Sequence, residues 1–333
     1  MFNSYLSFSC RASCYRVQFG DLKMIYDSEQ TPILHDEEGS IEYFITCMEA
    51  DLKIPGNIVL SIEDSLYTTD GETIQLIATQ GNAQINAFYQ LNASSIVVPE
   101  RKKRCLLLFD RDSSKSSSLA GNCDSWTNNE KLIDGYPSKA ETGWVLNIIR
   151  GAGREYSQNL FFIDYDVYTG ITPLRSVYID TQYVETLYRP HLRANALCWE
   201  YSTSNILIGG EFGITRLNLD KNTTESITFE GAGGPGHNNR PLGSAFLKPR
   251  GIINIVENMY VTASDFGIQV IDLANMYLHS VCTLSQSIRE GNITFCQTPS
   301  DVGTPLYFDG HLYFSVSTYY YVQIAQIEGK DFV

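Results

Sequence analysis

The stretch Asn258-Met-Tyr-Val-Thr-Ala-Ser-Asp-Phe-Gly-Ile-Gln-Val-Ile-Asp-Leu273 decides how this chain folds. Two short runs rich in Val, Ile and Tyr flank a polar turn carrying Asp and Gly. Such runs suit a pleated, half-buried surface, and the residues between them suit a tight reversal. The pattern predicts a strand, a turn and a second strand. Asn205-Ile-Leu-Ile-Gly-Gly-Glu-Phe-Gly-Ile-Thr-Arg-Leu-Asn-Leu-Asp220 repeats it almost element for element.

Working outward, looser copies cover Asn159–Leu174, His311–Ala325 and Ser65–Ile77. A sixth runs from Ser95-Ile-Val-Val-Pro99 to Cys105-Leu-Leu-Leu-Phe-Asp110 with a basic insertion in its turn, and Tyr5–Phe19 is a seventh. From Leu160 the copies recur at Ile206, Met259 and Leu312, steps of 46, 53 and 53 residues. Strand-built repeats of that period are the mark of propeller blades, because one sheet cannot bury both faces alone and a ring of sheets can. Few segments place apolar residues at helical spacing over three turns. Two β-sandwiches in series are the rival architecture, but they do not require the hairpins to align at strand, turn and acid.

Ala245-Phe-Leu-Lys-Pro-Arg-Gly-Ile-Ile, continuing to Leu273, resembles an NHL-repeat blade, in which a Phe-x-x-Pro-x-Gly-Ile opening leads into the inner strand. Leu119-Ala-Gly-Asn-Cys123 followed by Asp134-Gly-Tyr-Pro-Ser-Lys-Ala140 resembles the connector between such blades. The resemblance is good over about residues 119–280 and faint before residue 90. It implies an all-β fold, a β-propeller of four-stranded antiparallel blades. Six blades are expected, with seven the alternative, in a single domain over residues 1–333 whose two ends join to close one sheet.

A 43% hydrophobic content supplies a sizeable core, and a net charge of -14 favours solubility. Arg101-Lys102-Lys103-Arg104 is the one dense basic run, too short and isolated for a nucleic-acid footprint, so nucleic acid is not expected as a partner. No stretch approaches the roughly 18 apolar residues of a membrane helix, and no membrane insertion is expected. The N-terminus lacks the basic and apolar regions of a signal peptide, so a mature chain or excised fragment is expected.

Eight cysteines and the sequons at Asn92, Asn222 and Asn292 favour a secreted, extracellular glycoprotein. Cys282 with Cys296, Cys10 with Cys14, and Cys105 with Cys123 are the candidate disulfides, leaving Cys47 and Cys198 over. Spacing alone does not fix the connectivity.

Asp70, Asp164, Glu211 and Asp265 align in four copies. Such acids can hold a cation as a ring of carboxylates, but recurrence in every copy favours turn capping. Some NHL-like propellers are enzymes, including a zinc-dependent amidating lyase and calcium-dependent lactonases and esterases. Here His35, His191, His237, His279 and His311 are scattered, and the inner-strand openings offer Asn147, Asn195 and Arg250 without a carboxylate set. No Gly-x-Ser-x-Gly elbow occurs, and Gly231–Gly236 lacks the Lys and Ser/Thr of a phosphate loop.

In a propeller the blade-to-blade connectors and the central hairpin turns emerge on one face. Trp126, His237 and Arg240, on two long connectors, are residue types that anchor interfaces or stack on sugars. The leading expectation is a non-enzymatic extracellular module that binds protein or glycan on this face, with no cofactor. A calcium- or zinc-dependent hydrolase or lyase in the central channel is the alternative. A structural subunit that self-assembles outside the cell is the third reading.

Overall fold

The computed structural model describes residues 4–7, 16–27, 45–71, 73–80, 84–123, 132–189, 193–200, 203–211, 213–228, 240–242, 249–264, 267–283, 288–290, 293–295, 305–309, 311–317 and 322–330. The chain opens with β1 (Ser4–Ser7) and β2 (Arg16–Asp27). The first four-stranded sheet follows: β3 (Ile45–Ala50), β4 (Ile58–Ile62), β5 (Ser65–Thr69) and β6 (Ile74–Thr79). The second is β7 (Tyr89–Asn92), β8 (Ser95–Glu100), β9 (Cys105–Asp110) and β10 (Lys115–Ala120). The third is β11 (Trp144–Arg150), β12 (Asn159–Tyr165), β13 (Leu174–Tyr178) and β14 (Val184–Tyr188), with the single turn α1 (Gly153–Tyr156) between its first two strands. The fourth is β15 (Ala194–Trp199), β16 (Asn205–Gly210), β17 (Gly213–Asn218) and β18 (Thr223–Ser226). A short β19 (Arg240–Pro241) then precedes β20 (Pro249–Val256), β21 (Met259–Ser264), β22 (Gly267–Asp272) and β23 (Tyr277–Thr283). Last come β24 (Ile288–Glu290), β25 (Ile293–Phe295), β26 (Leu306–Phe308), β27 (His311–Ser317) and β28 (Val322–Lys330).

Five sheets are thus antiparallel meanders of four consecutive strands, the fifth made of β20–β23 with β19 added beside β23. The expected count of six or seven blades is corrected to five. The two copies at the chain's ends, Tyr5–Phe19 and His311–Ala325, do not each build a blade. They share one sheet, ordered β1-β2-β28-β27-β26, in which β2 runs antiparallel to β28 from Gln18↔Lys330 to Asp27↔Gln323. Terminal strands with open edges satisfy their backbone groups by pairing with each other.

The chain falls into two compact units, Thr46–Glu211 with Thr215–Glu225, and Met1–Ile45 with Phe212–Ile214 and Ser226–Val333. In the first of these, apolar faces of successive sheets meet in sequence. Val59, Leu66, Ile85, Phe88 and Ile96 join the first sheet to the second. Val97, Leu106, Val145, Leu160 and Phe162 join the second to the third, and Phe161, Ile163, Leu197, Ile206 and Ile208 join the third to the fourth. Meanders stacked in chain order are blade packing. Greek-key sandwiches exchange strands between sheets instead.

Turn chemistry explains the regular meander. Asp110 ends β9 and accepts hydrogen bonds from the N–H groups of Asp112 and Ser113 at 3.0 and 2.7 Å. Asn218 ends β17 and accepts from Lys221 N, and Asp272 ends β22 and accepts from Asn275 N. Each side chain satisfies the backbone of the reversal that follows it.

The alignment of turn acids is corrected. Asp70 caps the turn between the third and fourth strands of its blade, accepting from Thr73 N at 2.7 Å. Glu211 lies between a second and a third strand. Asp164 is not in a turn at all. It is buried within β12, and the acid of the following turn is Asp166, which accepts from Tyr168 N and Thr169 N. Asp265 lies outside the described residues.

Candidate functional site

The turns between second and third strands, and the starts of first strands, lie at the same end of each meander. In the unit of Thr46–Glu211 this end carries the β8–β9 turn, the start of β11, the β12–β13 turn and the start of β15. The β8–β9 turn is Arg101-Lys102-Lys103-Arg104, with Arg104 at φ 56, the left-handed geometry of a tight reversal.

A set of buried polar contacts fixes this end. Arg104 Nε donates to the carbonyl of Thr142 at 2.9 Å, and Thr142 N donates to the carbonyl of Arg104 at 2.9 Å. From below, Arg175 on β13 donates to Glu141 O and to Asp164 at 2.7 and 2.6 Å through Nη1. Through Nη2 it donates to Ile133 O and Asp134 at 2.7 and 3.0 Å. Asp164 in turn accepts from Gly143 N at 2.5 Å. Burial pushes the Asp164 carboxyl upward, and Arg175 pulls against it. Arg175 and Asp164 are both fully buried, so removing Arg175 leaves the Asp164 carboxylate buried without its ion-pair partner, which costs about 3–5 kcal/mol. The connector 132–143 is therefore clamped against its blade.

Residue 144 follows the clamp directly. Trp144 opens β11 and stands opposite Tyr165 in the β11–β12 ladder, their ring centroids 5.7 Å apart. Arg101 stacks on Trp144 with Cζ 3.1 Å from the ring centroid, and Arg193, just before β15, lies 5.5 Å over Tyr165. Arg193 Nη2 also donates to the Tyr165 hydroxyl at 3.4 Å. Burial lowers the pKa of Arg101, which remains a cation. Arg101, Trp144, Tyr165 and Arg193 form a row of cation, ring, ring, cation across three successive blades. Lys102 and Lys103 stand exposed beside one end, and Val167 and Tyr168 protrude from the adjoining turn, 44% and 60% exposed.

A second group occupies the first strands of the first two blades. Glu49 on β3 accepts from the backbone N–H of Gln90 on β7 at 2.8 Å. Desolvation pushes the Glu49 carboxyl up to about 8 against those hydrogen bonds. Burial, with Glu49 adding to it, pushes the Cys47 thiol and the Tyr89 hydroxyl each up to about 12. A thiol held that high is not a nucleophile at neutral pH. A cavity of about 570 Å³ also opens between β6 and β10, with an apolar floor that includes Leu66, Val98 and Phe109 and a wall of Ser116, Ser117 and Ser118.

Of the residues singled out by sequence, Trp126 and His237 lie outside the described residues. Arg240 stands in β19, paired with Leu278 of β23. Asn147 on β11 is buried and Asn195 on β15 half-buried, while Arg250 belongs to the other unit. His279 lies within β23 and His311 opens β27, whereas His35, His191 and His237 lie outside the described residues. Among the described residues no three His, Cys, Asp or Glu gather as a metal site.

Cys105 and Cys123 form a disulfide, whereas Cys47 and Cys198 are thiols. The pairs Cys10–Cys14 and Cys282–Cys296 include residues outside the described set. Asn92, which ends β7, and Asn222, in the β17–β18 turn, are exposed, while Asn292 lies outside.

Sequence reading named the basic run and the inner-strand opening that carries Asn147 separately. It missed that they share one end. Aligning every second-to-third-strand turn with the next first strand would have placed Arg101, Trp144, Tyr165 and Arg193 together.

No family model and no curated protein matches the sequence. Solved structures do match. A structural-genomics protein of unknown function from Bacteroides thetaiotaomicron superposes with a TM-score of 0.59 at 10% identity, over 92% of this chain and 76% of that one. The WD40 repeats of RRP9 give 0.54 at 11% identity, over 94% and 100%. The fold is a β-propeller. A chain of a nidogen/laminin complex gives 0.50 at 10% identity, over 73% and 81%. The extracellular domain of a hybrid two-component system from B. thetaiotaomicron gives 0.54 at 13% identity, over 92% of this chain and 39% of that one. These likenesses establish the propeller fold and leave the NHL type as a resemblance. Among the described residues no helix is long and apolar enough to cross a membrane.

Proposed function

We propose that this protein is a non-enzymatic extracellular binding module that holds a protein or glycan ligand on the loop-bearing end of its blades. One observation carries the reading: the row Arg101, Trp144, Tyr165 and Arg193, which the buried clamp around Arg175 holds in place. Half-exposed aromatic rings flanked by cations are the groups that dominate recognition surfaces. The Cys105–Cys123 disulfide and the exposed sequon residues Asn92 and Asn222 support the secretory placement. Trp126 and His237 belong to the same proposal as residues of the long connectors, whereas Arg240, in β19 beside the start of β23, stands at the other end of its blade.

The test is to probe arrays of extracellular proteins and of glycans with the wild-type chain and with Trp144→Ala and Arg193→Ala. Loss of a captured ligand in both variants, with melting curves unchanged, supports the reading. A ligand retained by both, and by a variant altered at Trp126 and His237, sinks it.

A further inference from the structure

We infer that the row Arg101, Trp144, Tyr165 and Arg193 is a binding site for an acidic polysaccharide, a chain of carboxylated or sulfated sugars. The inference rests on the binding-module reading above and narrows it to one ligand class.

Charge makes the first argument. The chain carries a net charge of -14, yet among the described residues no carboxylate forms a side-chain ion pair with Arg101, Lys102, Lys103 or Arg193. The neighbouring Glu100 accepts only from the backbone N–H of Lys102. Four other arginines of the same unit are neutralised, while Arg150, Arg154 and Arg189 stand singly outside the row, without an ion pair among the described residues. Arg104 meets Glu141, Arg111 meets Asp51, Arg175 meets Asp164 and Asp134, and Arg216 meets Glu200 and Glu225. An acidic protein that leaves four cations unpaired at one end of three adjoining blades presents a local site for anions. Arg101 is moreover partly desolvated with no anion paired to it, so a bound carboxylate or sulfate relieves a cost already present.

Shape makes the second. Trp144 and Tyr165 are half-exposed rings in a shallow row, and the cavity lies away from them on the outer strands. Of the row and its flanking lysines, only Lys103 reaches that cavity. Protein partners anchor through side chains driven into pockets. Sugar rings need flat aromatic surfaces with charged or hydrogen-bonding groups at their edges. Arg101 lies over Trp144 and Arg193 donates to the Tyr165 hydroxyl, contacts that hold both guanidinium groups beside the rings, where their remaining N–H groups can meet carboxylate or sulfate oxygens. Arg101 stands by Trp144 and Arg193 by Tyr165, so a polymer with repeated charges can meet both cations along the ring pair.

The test is direct binding of the intact chain to three probes: a heparin oligosaccharide (sulfated), polygalacturonate (carboxylated) and dextran (uncharged). The expected result is saturable binding to at least one acidic probe and none to dextran, weakening steeply with added salt. Arg101→Gln and Arg193→Gln should each weaken it about tenfold. Trp144→Ala should do the same. Lys53→Gln, which removes a lysine paired with Asp112 away from the row, should leave it unchanged. Arg193 is exposed, so its variant tests the site even if Trp144→Ala alters folding. Failure of both acidic probes to bind overturns the inference. If the array in the preceding test still yields a protein ligand lost in Trp144→Ala, the binding-module reading survives that failure. Acidic-probe binding insensitive to Arg101→Gln, Arg193→Gln and Trp144→Ala overturns the assignment to this row.

Discussion

Asp51 and Arg111, sixty residues apart, meet as a buried two-pronged pair, Nη1 to Oδ1 at 2.6 Å and Nη2 to Oδ2 at 3.0 Å. Asp51 follows the first strand of one blade and Arg111 the third strand of the next. Thr68 Oγ1 adds a hydrogen bond to Oδ2 at 2.7 Å, and the N–H groups of Lys53 and Ile54 complete the set. One carboxylate therefore ties two blades and a turn together.

That pair dictates an acid response. Burial alone opposes the charged form of Asp51, but hydrogen bonds from Arg111, Thr68 and Lys53 N outweigh it and hold the carboxyl down at about 2, against an ordinary 3.8. The folded state thus binds this proton less readily than the unfolded chain does. The associated stability is present above about pH 4 and is lost as pH falls toward 2. Asp51→Ala should cost about 3–5 kcal/mol by stranding the Arg111 charge. Denaturant melts at pH 6 and pH 3 check both statements, and the gap between variant and wild type should narrow at the lower pH.

Glu49 responds in the opposite sense. Desolvation raises its carboxyl to about 8, so the folded state holds the proton more tightly than the unfolded chain does. Its contribution is whole below about pH 4.5 and is lost as pH rises through about 8, by up to about 1.4 kcal/mol per pH unit inside that window. Glu49→Gln keeps an acceptor for Gln90 N and removes the charge. It should raise the melting temperature at pH 8 and flatten the profile between pH 5 and 8. A variant less stable than wild type at pH 8 would count against this account.

Gly143 is a packing requirement. A Cβ built there comes within 2.2 Å of the Tyr165 carbonyl oxygen and 3.0 Å of Asp164 Oδ1. Both neighbours are held, one by the sheet and the other by Arg175. Gly143→Ala should therefore cost about 1–3 kcal/mol. It should also displace Trp144, read as a change in tryptophan fluorescence and a matching loss of ligand capture.

The Cys105–Cys123 bridge spans a separation of 18 residues. Closing a loop of that size removes unfolded-state freedom worth about 3 kcal/mol. Cys105→Ser with Cys123→Ser should lower stability by that order in an oxidising buffer. Wild type melted with and without reductant should show a comparable difference.

Much of the fold was legible because its signals are local. Met259–Asp272 carries two strand-forming runs about one turn, and Asp110, Asn218 and Asp272 cap their reversals through neighbours two or three positions on. The blade count was not legible. The copies at Tyr5–Phe19 and His311–Ala325 were expected to join in one sheet, and β2 does pair with β28, but that sheet is not one of the five meanders of consecutive strands. Asp164 looked like a turn acid because its blade has a longer reversal, Asp166–Pro173, which shifts a simple alignment by two residues. The row at Arg101, Trp144, Tyr165 and Arg193 was hidden for a similar reason, since its members come from three blades.

By itself the sequence determined strands, turns and the repeat, since strand-forming runs and turn capping are settled within a hairpin's length. Tertiary structure decided which copies share a sheet, which arginine neutralises which acid, and which rings and cations stand side by side. Those outcomes depend on strand register and on the packing of one blade against the next, which bring together residues that no local spacing relates.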